Sequence, residues 1–175
     1  MTRISFLVLI ISNSCFCQIK SKEVRMLVDT TVNLYAFVGQ KISLVEYDPN
    51  KDYSNPQSFE IDSTSGDTII RRSYIMDYAF DAKYRVFKGV FNDLKTDTVQ
   101  FKVFDHYGRP EFENFSTVLL YISKSEKGNY YFHQKYQFDP VFKGKNSIWV
   151  GKNGESLEQL FKEKKQTVFV ERGIF

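Results

Sequence analysis

Cysteine is nearly absent from this chain. Cys15 and Cys17 are the only two in 175 residues, and none follows, so the body of the protein contains no disulfide framework and is held together by its core. Histidine is as scarce, with His106 and His133 far apart and in no metal-ligand spacing, which argues against a metal site. Alanine occurs only at Ala36, Ala79 and Ala82, which argues against a helical bundle. Charge of one sign is missing too: 24 basic against 21 acidic side chains give no electrostatic case for nucleic acid or for an acidic membrane surface. No apolar run after residue 11 is long enough to span a bilayer, so no transmembrane segment is expected. The serine-elbow and phosphate-loop patterns are lacking, and Gly144-Lys145-Asn146-Ser147 has neither the upstream glycine nor the required hydroxyl.

Aromatics are abundant, at 17%, and favour strands, because such side chains suit a pleated, half-buried surface. The chain opens with Met1-Thr2-Arg3, an apolar run from Ile4 to Ile11, and then Ser12-Asn13-Ser14. This is the order of a secretory signal, and it predicts export to the periplasm, cell surface or medium. Residues 1–17 are the expected leader, with cleavage after Ser14 or after Cys17, and residues 18–175 one β-barrel-like domain. A lipid anchor on Cys15 or Cys17 is not favoured, because Ser12 and Ser14 stand where lipoprotein signals carry a large aliphatic residue.

In the body, Val24, Leu27 and Val28 are spaced for a short N-terminal helix. Leu34 to Tyr47 reads as a strand, with Gly39 marking a bulge or bend. Phe59 to Ile70 suits a small hairpin across Ser63-Thr64-Ser65-Gly66. The strongest signal is strict alternation: Tyr74, Met76, Tyr78, Phe80, Ala82, Tyr84 and Val86 on one face, with Asp77, Asp81, Lys83 and Arg85 between them. It predicts a long strand with the aromatic row turned inward. Gly89 and Asn92-Asp93 mark a turn. Val99, Phe101 and Val103 predict the next strand, ending in a turn from Asp105 to Pro110, and the unbroken apolar run Thr117–Ile122 a central one. Tyr130, Phe132, Tyr136 and Phe138 share one face of a further strand, with His133 and Lys135 on the polar side and Asp139-Pro140 as its end. Ile148-Trp149-Val150 suits a short strand. Ser156 and Gln159 form a capping box for a C-terminal helix bearing Leu157, Leu160 and Phe161, with Lys162, Lys164 and Lys165 as a solvated face. Thr167–Val170 completes the set as a short strand. The fold class expected is mainly β: a small antiparallel OB-like barrel of five to six strands with a short N-terminal and a C-terminal helix.

Cys15-Phe16-Cys17 followed by the stretch from Leu34 to Ser43 resembles the opening of netrin-like domains, the group that includes the tissue inhibitors of metalloproteinases. The run Ala82–Gly89 resembles that family's strand leading into a "KG" turn. The resemblance implies an OB-type barrel. In the inhibitor branch it implies that a free amino-terminal Cys15 would chelate a protease's zinc while Phe16 enters the adjoining pocket. The family tethers its two cysteines by disulfides to later partners; this chain has none, and ordering a loose terminus costs affinity.

Asp105 with His106, near Tyr107, is the one pair with the chemistry of a general base, and His133 is the other imidazole. Turn and polar-face roles are the more economical reading of all three. Tyr131 is expected to be exposed, because aromatics fall on both faces there. The candidate binding residues are therefore Cys15, Phe16, Asp105, His106, Tyr107, Tyr131 and His133, with no metal, no cofactor and a protein or saccharide partner. The function expected is non-catalytic binding. Metalloprotease inhibition through Cys15 and a small hydrolase built on Asp105 and His106 are the alternatives.

Overall fold

A computed structural model describes residues 26–51, 57–72 and 74–175; the leader, Cys15, Phe16 and Val24 lie outside these. The described chain forms a barrel. Strands β1 (Tyr35–Tyr47), β2 (Gln57–Ile61), β3 (Thr68–Arg72), β4 (Tyr78–Phe91), β5 (Thr98–Asp105), β6 (Val118–Lys124), β7 (Tyr131–Lys143) and β8 (Trp149–Gly151) precede helix α1 (Leu157–Lys164). Five strands run side by side in the order β5-β4-β1-β6-β7, and a β5–β7 contact closes the ring. Every pairing of neighbours is antiparallel except that closing seam, which is parallel and holds only Phe101 opposite Tyr131 and Lys102 opposite Phe132. This is the strand order of an OB-like barrel. β2 and β3 form a separate hairpin inserted between β1 and β4, across the turn anticipated at Ser63–Gly66.

β1 belongs to both walls. It pairs with β4 along its length and with β6 over Tyr35–Gly39. The change of partner coincides with a register shift at Val38/Gly39. A Cβ on Gly39 would lie 2.8 Å from the Phe37 ring and 3.2 Å from the Arg85 carbonyl, so the bend requires glycine.

Two cores result. Inside the barrel lie Phe37, Phe80, Tyr84, Phe101, Phe112 and Leu120 with their neighbours. Outside it, Leu34, Val38, Phe91, Leu119 and Tyr121 pack beneath Leu157, Leu160, Phe161 and Phe169 of the C-terminal helical segment. β6 is continuously apolar because Val118, Leu120 and Ile122 face the first core and Leu119 and Tyr121 the second.

Several expectations are corrected. Residues 26–33 are not helical: Leu27 makes a parallel bridge to Phe91, and the buried Asn92 amide donates to the carbonyls of Asp29, Val32 and Leu34, so side-chain bonds replace the helical ladder. The inward row of β4 runs from Phe80 through Ala82 and Tyr84 to the partly buried Val86; Tyr74, Met76 and Tyr78 are exposed, because β5 ends opposite Tyr78 and no strand among the described residues continues beyond it to cover them. Gly89 lies within β4, where Met26 Sδ would sit 2.8 Å from an added Cβ. Asp139 and Pro140 do not end β7 but pair with Leu119 and Val118 inside it.

The capping box forms as expected, with the Ser156 hydroxyl accepting from Gln159 N–H and the Gln159 side chain accepting from Ser156 N–H. Beyond α1 there is no strand at Thr167–Val170. The helix continues through a π segment, Lys165–Phe169. The extra residue of a π turn rotates Phe169 onto the buried face, where its ring meets Tyr121 at 5.2 Å. The lysines there are not a plain solvated face: Lys164 lies 3.5 Å from Asp139, and Lys165 sits over the Phe175 ring. Among the described residues no helix is long and apolar enough to cross a membrane.

Candidate functional site: the tyrosine-rich end of the barrel

β1 and β5 finish, and β4 begins, at the same end of the barrel. The segments that meet there are 48–50 and 74–77, the turn after Asp105, and an irregular stretch of β7. Between His133 opposite Ile122 and Phe138 opposite Leu120, β7 carries surplus residues, and Tyr136 takes a left-handed φ of 64°. Both edges of this bulge are pinned. His133 Nε2 bonds the Gln137 carbonyl at 2.8 Å. The buried Gln134 donates to Ser123 Oγ at 2.7 Å, and Arg172 donates to Gln134 Oε1 and to the Lys135 carbonyl. The bulge turns His133 and Gln134 inward and leaves Lys135 and Tyr136 facing out.

This reverses the expected faces of β7 ahead of the bulge, while Phe138 beyond it packs against the barrel core as expected. His133 is not on a polar surface; it packs between Phe112 and Phe101 in the barrel, and burial pushes its imidazole down to about 4. Tyr131 is half-buried rather than fully exposed. Its ring meets Tyr35 edge-on at 5.4 Å, and burial together with Tyr35 raises its phenol.

Outside, Asp77 is the hub. Its Oδ2 accepts from Lys135 Nζ at 2.7 Å and its Oδ1 lies 3.3 Å from His106 Nδ1. The hydrogen bond from Lys135 holds the Asp77 carboxyl below its ordinary value against the opposing pull of burial, with His106 adding to it. Asp105 and His106 do not form a dyad: the Asp105 carboxylate accepts from Tyr107 N–H at 2.9 Å, shaping the turn, while His106 N–H donates to the Tyr136 hydroxyl. Tyr107 and Tyr136 lie 5.8 Å apart, tilted by 35°. Tyr107 is 86% exposed.

An open cleft of about 510 Å³ adjoins the hub, lined by Tyr47, Asn50, Tyr74, Met76, Asp77 and Tyr78 among others. Asn50 shapes it by exchanging two hydrogen bonds with the Ile75 backbone. Of the residues anticipated, the structure brings His106 and Tyr107 into this site, gives Asp105 a supporting role, and places His133 and Tyr131 in or against the barrel. Cys15 and Phe16 lie outside the described residues. Sequence reasoning missed Asp77, Lys135 and Tyr136; the one available sign was the doubling of aromatics around Lys135. Among the described residues no group of three or more His, Cys, Asp or Glu side chains converges as a metal set would. No family model, no curated protein and no solved structure matches the chain.

Proposed function

We propose that this chain is an exported, non-catalytic binding protein that engages a protein partner through the tyrosine-rich end of its barrel. The carrying observation is the concentration of exposed contact residues around one ion-paired centre: Tyr107, Met76, Tyr74 and Tyr78 are 86, 75, 66 and 51% exposed, and Asp77 holds His106 and Lys135 among them. Tyrosine and methionine are the side chains that protein interfaces concentrate at their centres, and an apolar patch kept at the surface has a use. Export is supported by Arg3, the Ile4–Ile11 run and the small residues up to Cys17. The hydrolase alternative built on Asp105 and His106 loses its carboxylate, because Asp105 accepts from Tyr107 N–H rather than from His106.

A photo-crosslinking side chain placed at Tyr107, and in a second protein at Arg85 on the barrel wall, tests the reading in the native host. Capture of one partner from position 107 and not from 85 is the expected result. Equal capture at both positions, or none at 107, overturns it. Mass spectrometry of the mature chain is expected to begin at Cys15 or Gln18; a chain retaining Met1 overturns export.

A further inference from the structure

The outer wall of the barrel carries a second constellation, which shares Tyr47 with the first. Alternation along β4 and β5 places Asp81 and Lys83 beside Lys102 and Gln100 on the solvent side. Lys102 Nζ stands 4.5 Å above the Tyr47 ring and 5.7 Å from the Tyr130 ring. It also lies 3.3 Å from the Tyr47 hydroxyl and 3.4 Å from Asp81 Oδ1. Two tyrosines, one from β1 and one from the β6–β7 loop, are thus set on either side of one ammonium group.

Two hollows meet here. One, of about 190 Å³, is bounded by Gln100, Lys102, Asn129 and Tyr130; the other, of about 310 Å³, by Ser43, Val45, Lys83 and Gln100; Asp81 borders both. The first lies beside the short parallel β5–β7 seam, where Asn129 and Tyr130 of the β6–β7 loop precede the Phe101–Tyr131 pair; the second lies on the faces of β1, β4 and β5.

We propose that this groove binds an uncharged oligosaccharide, laid across β5 with a pyranose face on Tyr130. The chemistry on offer is that of a sugar's two surfaces. The ring of Tyr130 and the flank of Tyr47 suit the C–H face of a pyranose. Asp81, Gln100, Asn129 and the remaining Lys102 proton provide acceptors and donors for hydroxyl groups at its rim. The charged residues lining the hollow beside Tyr130 are Asp81 and Lys102, which pair with each other, and Lys102 also lies over two tyrosine rings, so net charge is not what that hollow presents; Lys83 borders only the second one. Apart from the shared Tyr47, the site differs from the tyrosine-rich end in residues and in ligand class, and is tested separately from it.

Amide-resolved NMR titration of the mature protein with cellohexaose, chitohexaose, maltohexaose and, as the anionic counterpart, hexagalacturonate tests the proposal. Shifts centred on Tyr47, Asp81, Gln100–Lys102 and Asn129–Tyr131 are expected with at least one neutral sugar. Tyr130→Ala is expected to weaken that affinity about tenfold, while Tyr130→Phe retains it and Ile61→Ser on the β2–β3 hairpin leaves it unchanged. No shift with any neutral sugar, shifts with hexagalacturonate alone, or unaltered affinity in a Tyr130→Ala protein that keeps native amide dispersion would each overturn it.

Discussion

Asp77 Oδ1 and His106 Nδ1 lie 3.3 Å apart, although one residue precedes β4 and the other follows β5. That contact, with the 2.7 Å bond from Lys135 to the other Asp77 oxygen, ties three separate segments into one surface.

Asp77→Asn removes the anion from this hub. The groups are partly exposed, so stability falls by less than about 1 kcal/mol, while crosslinking of the partner from position 107 drops markedly. Because the Asp77 carboxyl is held below its ordinary value, its contribution is complete above that value and fades as pH falls through the lowered one. Thermal melts of the two proteins are expected to converge at strongly acid pH.

His133 gives the molecule a larger acid sensitivity. Its folded value of about 4 lies below the ordinary 6.5, so the unfolded chain binds the proton first. Stability is then greatest above pH 6.5 and declines from there to about pH 4, by roughly 3 kcal/mol over the interval. Asp139, raised by burial despite the Tyr121 hydrogen bond and Lys164, pulls the opposite way at the acid end of that interval. Urea unfolding at pH 7.5 and pH 5 measures the slope, and His133→Leu is expected to flatten it.

Two buried tyrosines should respond in opposite directions to loss of their hydroxyls. Tyr84 Oη has no hydrogen-bond partner inside the barrel, so Tyr84→Phe is expected to be neutral or stabilising by up to about 1 kcal/mol. Tyr121 Oη donates to Asp139 at 2.7 Å, so Tyr121→Phe is expected to cost about 2 kcal/mol, the carboxylate being left short of a donor. Chemical denaturation of the pair checks both signs.

Gly39→Ala is expected to destabilise by about 1–3 kcal/mol. The added methyl meets the Phe37 ring, which is itself buried, and the Arg85 carbonyl, which belongs to the sheet. A substitution at Gly66, where nothing lies within 4 Å but φ is +76°, tests the hairpin turn alone and is expected to leave the barrel's melting unchanged.

Where one residue's surroundings are set by its near neighbours in sequence, the chain announced its structure. The alternation of Val99, Phe101 and Val103, the apolar run of β6, the bend at Gly39 and the Ser156–Gln159 cap all carry local causes, and all are present. Where the cause is distant, it did not. Alternation runs unbroken from Tyr74 to Val86, yet burial stops where β5 stops. The facing of β7 changes between His133 and Phe138 across a bulge that Arg172 and Ser123 help hold, and nothing within 131–143 reveals them. For the same reason His106 and Tyr107 could be picked out in advance but Asp77 and Tyr136, their partners from other segments, could not.

Tyr47 at the end of β1 is paired with Ala79 near the start of β4. The chain therefore leaves the barrel and re-enters it at adjacent positions, and the hairpin between them makes no ladder with the barrel. The entropy of closing such an excursion grows only slowly with its length, so the β2–β3 hairpin, apart from the cleft residues that flank it, is the place where the molecule tolerates grafts, deletions or a fused reporter while the ring itself keeps its register.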